Sequence, residues 1–166
     1  MSRIYAMEMK KQNNDVGLEI AVGGVAHAGE IARFQVAMAM ESEDLSLDEE
    51  RVRRGVQAVL DDEAKGLYVI AQIAGAVVGC LMITREWSDW NSCWYWWIQS
   101  VYVLPEYRGR GIYKAMYSKV IDLAKSSGVT QIRLYVDKAN STAQAVYKKL
   151  GMVECHYCLY EKDLNG

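Results

Sequence analysis

The stretch from 93 to 126 does most to limit what this chain can become. The run CWYWWIQSVYV (93–103) has the aromatic and β-branched content of a strand. Pro105, the sole proline, stops it, because proline cannot donate to a sheet. Gly109 and Gly111 follow, and then Ile112, Ala115, Met116, Val120 and Leu123 fall on one helical face up to Gly128. Strand, glycine loop and helix in that order make an anion site. The first amides of a helix have no intrahelical acceptor and sit at its positive end. Gly109 and Gly111 let an anion approach the backbone, and Arg108 and Arg110 can add charge-assisted bonds. A tight solvated turn with surface arginines would carry the same residues, since Gly-x-Gly alone is a weak signal.

The flanking sequence predicts an α/β domain. LEIAVG (18–23) reads as a strand, and residues 26–40 as a helix with Ile31, Phe34 and Met38 on one face. In SLDEERVRRGVQAVL, Ser46 and Glu49 have capping-box spacing ahead of Val52, Val56 and Val59. Residues 66–84 read as two strands about a turn near Ala74-Gly75, and QIRLYV (131–136) as another strand. Asn140 is a good N-cap for a helix bearing Ala143, Val146, Tyr147 and Leu150, which Gly151 can close. A last strand is expected over 152–161. The order is β-α-α-β-β-β-α-β-α-β, a mixed sheet in one domain over 16–166, after a polar extension over 1–15. A chain of 166 residues can bury roughly 70% of its unfolded surface.

Composition narrows the partners. A formal charge of −2 gives no general attraction to nucleic acid or anionic membrane, so neither is expected and any anion site must be local. No apolar run is long enough to span a bilayer, and the N-terminus lacks the apolar core of a signal peptide. Four cysteines do not make a disulfide framework at this length, which points to a reducing cytoplasm. Cys155 and Cys158 form a C-x-x-C, but with only His27 and His156 as histidines the ligands are too few at workable spacing, and no metal is expected.

Three phosphate-binding patterns can be set against the loop. The Walker string G-x-x-x-x-G-K-[ST] does not occur. A dinucleotide fingerprint would want glycine where Lys114 stands. Asp137 ends the next strand as that fold requires, but too little chain follows to complete it. The third comparison is closer. SVYVLPEYRGRGIYKAMYSKVIDLA (100–124) resembles motif A of the GNAT superfamily of acyl-CoA-dependent N-acetyltransferases, [Q/R]-x-x-G-x-[G/A]. Arg108 and Gly111 match it, and Tyr113 departs from its last position. NSTAQAVYKKLGM (140–152) resembles motif B, and the element order matches over about 16–162.

The resemblance implies a mostly antiparallel sheet with a splayed parallel strand pair. It also implies transfer of an acetyl or other acyl group from coenzyme A to a primary amine, by direct attack in a ternary complex. Acetyl-CoA would be the donor and a small-molecule or peptide amine the acceptor. By that likeness the pyrophosphate lies over Arg108, Gly109, Arg110, Gly111, Ile112 and Tyr113, held mainly by backbone N–H groups, so the amide of Tyr113 still serves. Val101 and Val103 would bind pantetheine through the backbone, with an N–H near Val101 as oxyanion donor. Tyr147 matches the tyrosine that protonates the departing thiolate, although a core aromatic would sit there equally well. Asn140 would touch the cofactor as well as cap its helix.

The general base is not fixed by the resemblance, because the Glu used by some relatives falls on Trp97. Glu86, Asp89, Glu41, Glu43 and a water chain stay open, and each carboxylate also suits a solvated surface. Glu41 and Glu43 would attract a cationic amine, and Trp87, Trp90, Trp94, Trp96 and Trp97 offer aromatic faces, so the expected acceptor leans to a small cationic amine. The acceptor contacts expected are Glu41, Glu86, Trp97 and Gln99. Strand alternation puts Trp97, Gln99 and Val101 on one face and Trp96, Ser100 and Tyr102 on the other. The tryptophans equally suit a core or a homodimer contact. An acyl-CoA-binding regulatory module without turnover is the alternative function.

Overall fold

The two-residue link between the strands β2 (Leu67–Ile73) and β3 (Ala76–Ser88) is Ala74-Gly75, with φ of +50° and +78°. Two positive φ values match the right-handed twist of the flanking strands, so the turn expected there forms a tight hairpin. A computed structural model describes residues 17–164. The extension expected over 1–15 lies outside the described residues. The chain divides into two compact units, 1–135 and 136–166.

In the first unit, β1 (Leu18–Val22), β2, β3, β4 (Cys93–Val103) and β5 (Gln131–Leu134) form one sheet in chain order. The first four strands are antiparallel, and β4 and β5 run parallel. One face carries α1 (Ala28–Glu43) and α2 (Glu49–Asp61), where Ile31, Phe34 and Val56 pack on Tyr68, Ile70, Cys80 and Tyr102. The opposite face carries α3 (Ile112–Ser126). Its stripe Ile112, Met116, Val120 and Ala124 repeats every four residues and is buried on Val69, Leu81, Ile83, Trp96 and Ile98. Burying Met116 completely contributes about 1.5–3 kcal/mol. Among the described residues no helix is long and apolar enough to cross a membrane.

Two expectations are corrected. The cap of α2 is Asp48 instead of Ser46: its Oδ1 accepts from the N–H groups of Glu50 at 3.0 Å and Arg51 at 3.2 Å. Asp48 directly precedes the helix, where an Asx side chain reaches the first-turn amides. In the second unit, Asn140 Oδ1 accepts from Ala143 N at 2.9 Å and starts α4 (Ser141–Lys149) as expected. The final strand over 152–161 does not form. Residues 152–164 carry neither helix nor strand, and Val153, Tyr157 and Leu159 are exposed. An alternating pattern makes a strand only with a ladder to join, and it finds none among the described residues.

Candidate active site

The site begins with a defect in β4. Cys80 pairs with Tyr102 and Met82 with Gln99, so Ser100 and Val101 together stand opposite Leu81. Ser100 has φ +52°, a left-handed residue inside a strand. This is a β-bulge, a device that re-aims a strand and is common beside active sites. It overturns the alternation read from sequence. Trp96 packs on the α3 side, whereas Tyr102 packs on the α1 and α2 side. Val101 joins the α3 side, while Gln99 pairs with Met82, which faces the other way. One extra residue reverses every side chain that follows it.

The bulge lies where β4 parts from β5, whose pairing covers only Tyr95–Ile98. Leu104 N donates to Val78 O at 2.9 Å, so the backbone of Leu104 turns toward β3. By alternation the backbone groups of Val103 and Val101 turn the other way, to the side β5 has left. The main chains of Val101 and Val103 thus turn to that edge, where Val103 O already accepts from Arg108 Nε.

At its end β4 leads into the glycine loop. Residues Pro105–Tyr107 form a short 3₁₀ turn, and Gly109 and Gly111 follow at φ +74° and +81°. A Cβ added at either would meet nothing within 4 Å, so the loop surface is open, yet its backbone favours glycine. Gly111 is the N-cap of α3, and the first helical bond runs from Ala115 N to Gly111 O at 3.0 Å. The amides of Ile112, Tyr113 and Lys114 lie ahead of it, at the helix's positive end. These features fit a bound polyanion. The Tyr113 ring packs at 6.2 Å from Tyr117 against the α3-side core, which is how a bulky residue is tolerated at this motif position.

Arg108 is used differently from the sequence reading. Its Nε donates to Val103 O at 2.8 Å, its Nη2 donates to Glu41 Oε2 at 2.6 Å, and its guanidinium lies 5.4 Å over the Tyr102 ring. Tyr102 Oη donates to Glu41 Oε1 at 2.7 Å. The Tyr102 hydrogen bond first, and then Arg108, hold the Glu41 carboxyl below its usual range. Burial, reinforced by the bond to Glu41, pushes the Tyr102 phenol up to about 12. Arg110 is stacked 5.2 Å over Tyr107.

Of the expected acceptor contacts, the structure gathers Glu86, Trp97 and Gln99 but places Glu41 apart, on Arg108. Trp97 Nε1 donates to Glu86 Oε2, Arg133 Nη1 donates to Glu86 Oε1 at 3.0 Å, and Gln99 Nε2 donates to Thr84 Oγ1 at 2.6 Å. Arg133 lies 4.3 Å over the Tyr95 ring, and Trp97 stacks on Tyr135 at 4.5 Å. Arg133, Tyr135, Tyr102 and Ser100 were not among the site residues read from sequence. Only the strand position of Arg133 and Tyr135 could have flagged them. Trp96 is buried, while Trp90 is 91% exposed at the β3–β4 turn. Asp89 accepts from Trp90 N there, at 2.9 Å.

In the second unit, burial pushes the Tyr147 phenol above its usual value. Asn140 serves as a cap through its side-chain oxygen. Among the described residues no group of three or more His, Cys, Asp and Glu is placed to hold a metal, and Cys155 and Cys158 are exposed thiols.

Comparisons with known proteins agree on one group. The profile of the acetyltransferase (GNAT) family matches residues 34–152. A bovine thialysine N-epsilon-acetyltransferase is 37% identical over 75 residues, covering 45% of this chain and 44% of that protein. A mycothiol acetyltransferase of Corynebacterium aurimucosum is 28% identical over 119 residues, 69% of this chain and 39% of that one. The matched stretches thus span less than half of either relative. Among solved structures, a possible acetyltransferase of Clostridium difficile 630 superposes with a TM-score of 0.83 at 38% identity, over 89% of this chain and 98% of that one. A predicted acetyltransferase with acetyl-CoA, from Clostridium acetobutylicum, shares the fold with a TM-score of 0.73 at 17% identity, over 90% and 98%.

Proposed function

The chain belongs to the acetyltransferase (GNAT) family, and on that premise we propose that residues 16–166 form one acyltransferase domain. It moves an acetyl group from acetyl-CoA to the primary amine of a small molecule or peptide, by direct attack in a ternary complex. Acetyl-CoA, when bound, supplies the activated acyl group and the thiolate that leaves. The chain's part is to hold, align and protonate. The loop from Arg108 to Tyr113 holds the pyrophosphate through backbone N–H groups, and Asn140 contributes a further contact. Val101 and Val103 align pantetheine along the open edge of β4. The N–H of Val101 polarises the acyl carbonyl, and Tyr147 gives its proton to the departing sulfur.

The observation that carries this reading is the bulge at Ser100-Val101, which opens a strand edge leading directly into a helix N-terminus. For the base, Glu41 and Glu86 are poor choices, since each carboxylate is held by an arginine. We assign proton removal to water leading to solvent. Those ion pairs neutralise Glu41 and Glu86, so a preference for a small cationic acceptor rests on Glu43 and the aromatic faces. Four free thiols suit a reducing cytoplasm.

A thiol-release assay with acetyl-CoA over a panel of small amines and N-terminal peptides tests the function. Release that depends on both substrates is expected. Tight acetyl-CoA binding with no turnover on any amine would instead establish the non-catalytic acyl-CoA-binding module. Saturating coenzyme A should also raise the melting temperature, by the linkage of binding to folding.

A further inference from the structure

We propose that Glu41 is a positioning residue for the coenzyme-binding loop, acting through Arg108 to hold that loop against the last turn of α1; this rests on the acyltransferase reading above. The two residues stand 67 positions apart, and their bond ties α1 to the segment that opens the anion site. Arg108 immediately precedes Gly109, so whatever fixes its guanidinium fixes the entry to the glycine loop. Three contacts do so together: Val103 O on the open edge of β4, the Glu41 carboxylate and the Tyr102 ring. Tyr102 Oη takes the second oxygen of Glu41, leaving the carboxylate bonded at both ends.

The position of Glu41 argues for this use. A carboxylate in the last turn of a helix faces the negative end of the dipole and is disfavoured there. Glu41 lies in that turn of α1, with Glu43 at its end and Asp44 as C-cap. Arg108 supplies the compensating charge. In doing so it withdraws a guanidinium from the anion site, whose positive character is left to the amides and Arg110. Glu41 therefore sets two properties of the loop. It fixes the conformation, and it keeps the Arg108 charge from the ligand.

Coenzyme A binding by calorimetry, at 50 and 200 mM salt, tests the proposal in wild type, E41Q, R108K and the E41Q/R108Q double variant. At 200 mM salt, where the charge of the released Arg108 is screened, E41Q should bind coenzyme A roughly tenfold more weakly, the size of a typical coupling between sites. Its affinity should depend more steeply on salt than that of wild type, because Arg108 is released toward the phosphates. The double variant should lose that added salt dependence. R108K keeps the charge but not the fork that reaches Val103 and Glu41 at once, and should weaken binding like E41Q. It serves alone if E41Q does not fold. In steady state, KM for acetyl-CoA should rise while kcat changes less than about twofold. E41Q or R108K binding with wild-type affinity and salt dependence, whatever its melting temperature, would overturn the positioning role alone. Absence of coenzyme A binding by wild type would sink the acyltransferase reading and this proposal together.

Discussion

Tyr147 carries the sharpest expectation for a single residue. Its phenol is pushed above its usual value of 10, so it stays protonated through neutral and mildly alkaline conditions. If it is the acid, kcat should show no descending limb from this group between pH 7 and about 9. Tyr147→Phe should lower kcat by roughly 10²-fold or more with little change in acetyl-CoA affinity, measured by thiol release and calorimetry. Glu41 gives a stability expectation. Its folded pKa is depressed below the ordinary 4.5, so its stabilisation is full above that value and lost as pH falls through the folded one. The melting-temperature gap between wild type and E41Q should thus be widest near neutrality and close in acid. Arg108 was legible as a loop residue because its motif position is a sequence fact. Its partner was not, because a contact between residues 67 apart leaves no local pattern.

Among the elements, α3 and β4 show the two limits of sequence reading. The stripe on α3 is written in residue types at helical spacing, and the structure buries its Ile112, Met116 and Val120, with Ala115 and Leu123 half-buried beside them. The bulge in β4 has no such mark. Ser100 holds a left-handed φ without being glycine or asparagine, so alternation read straight through it grouped Tyr102 with Trp96, which packs on the opposite face. The missing last strand has a related cause, since 152–161 alternates well but alternation names no partner. Ser100→Val tests the bulge. A β-branched residue at φ +52° should cost about 1–2 kcal/mol in urea unfolding. It should weaken coenzyme A binding as well, because the open edge depends on that kink.

For the molecule as a whole, the governing fact is a net charge of −2 in a protein proposed to bind a polyanion. Long-range attraction is absent, Arg108 is neutralised within the fold, and binding rests on backbone dipoles and Arg110 at close range. Wild-type affinity for coenzyme A should therefore weaken less than about threefold between 50 and 200 mM salt, checked by calorimetry. The family was readable because its two motifs sit on a strand–loop–helix and a capped helix, both local. The acceptor was not, because its candidate residues enter ion pairs across the sheet that composition cannot reveal. The slip at Ser100 has one more consequence. It divides β4 into two lengths that answer to different neighbours: the first to Glu86, Arg133 and the second to Glu41, Arg108. The α3 side is common to both, where Trp96, Val101 and Val103 share one packed cluster. Variation among the exposed Trp87, Trp90 and Trp94 can thus accumulate, by drift or by design, while the donor-binding half keeps its phase.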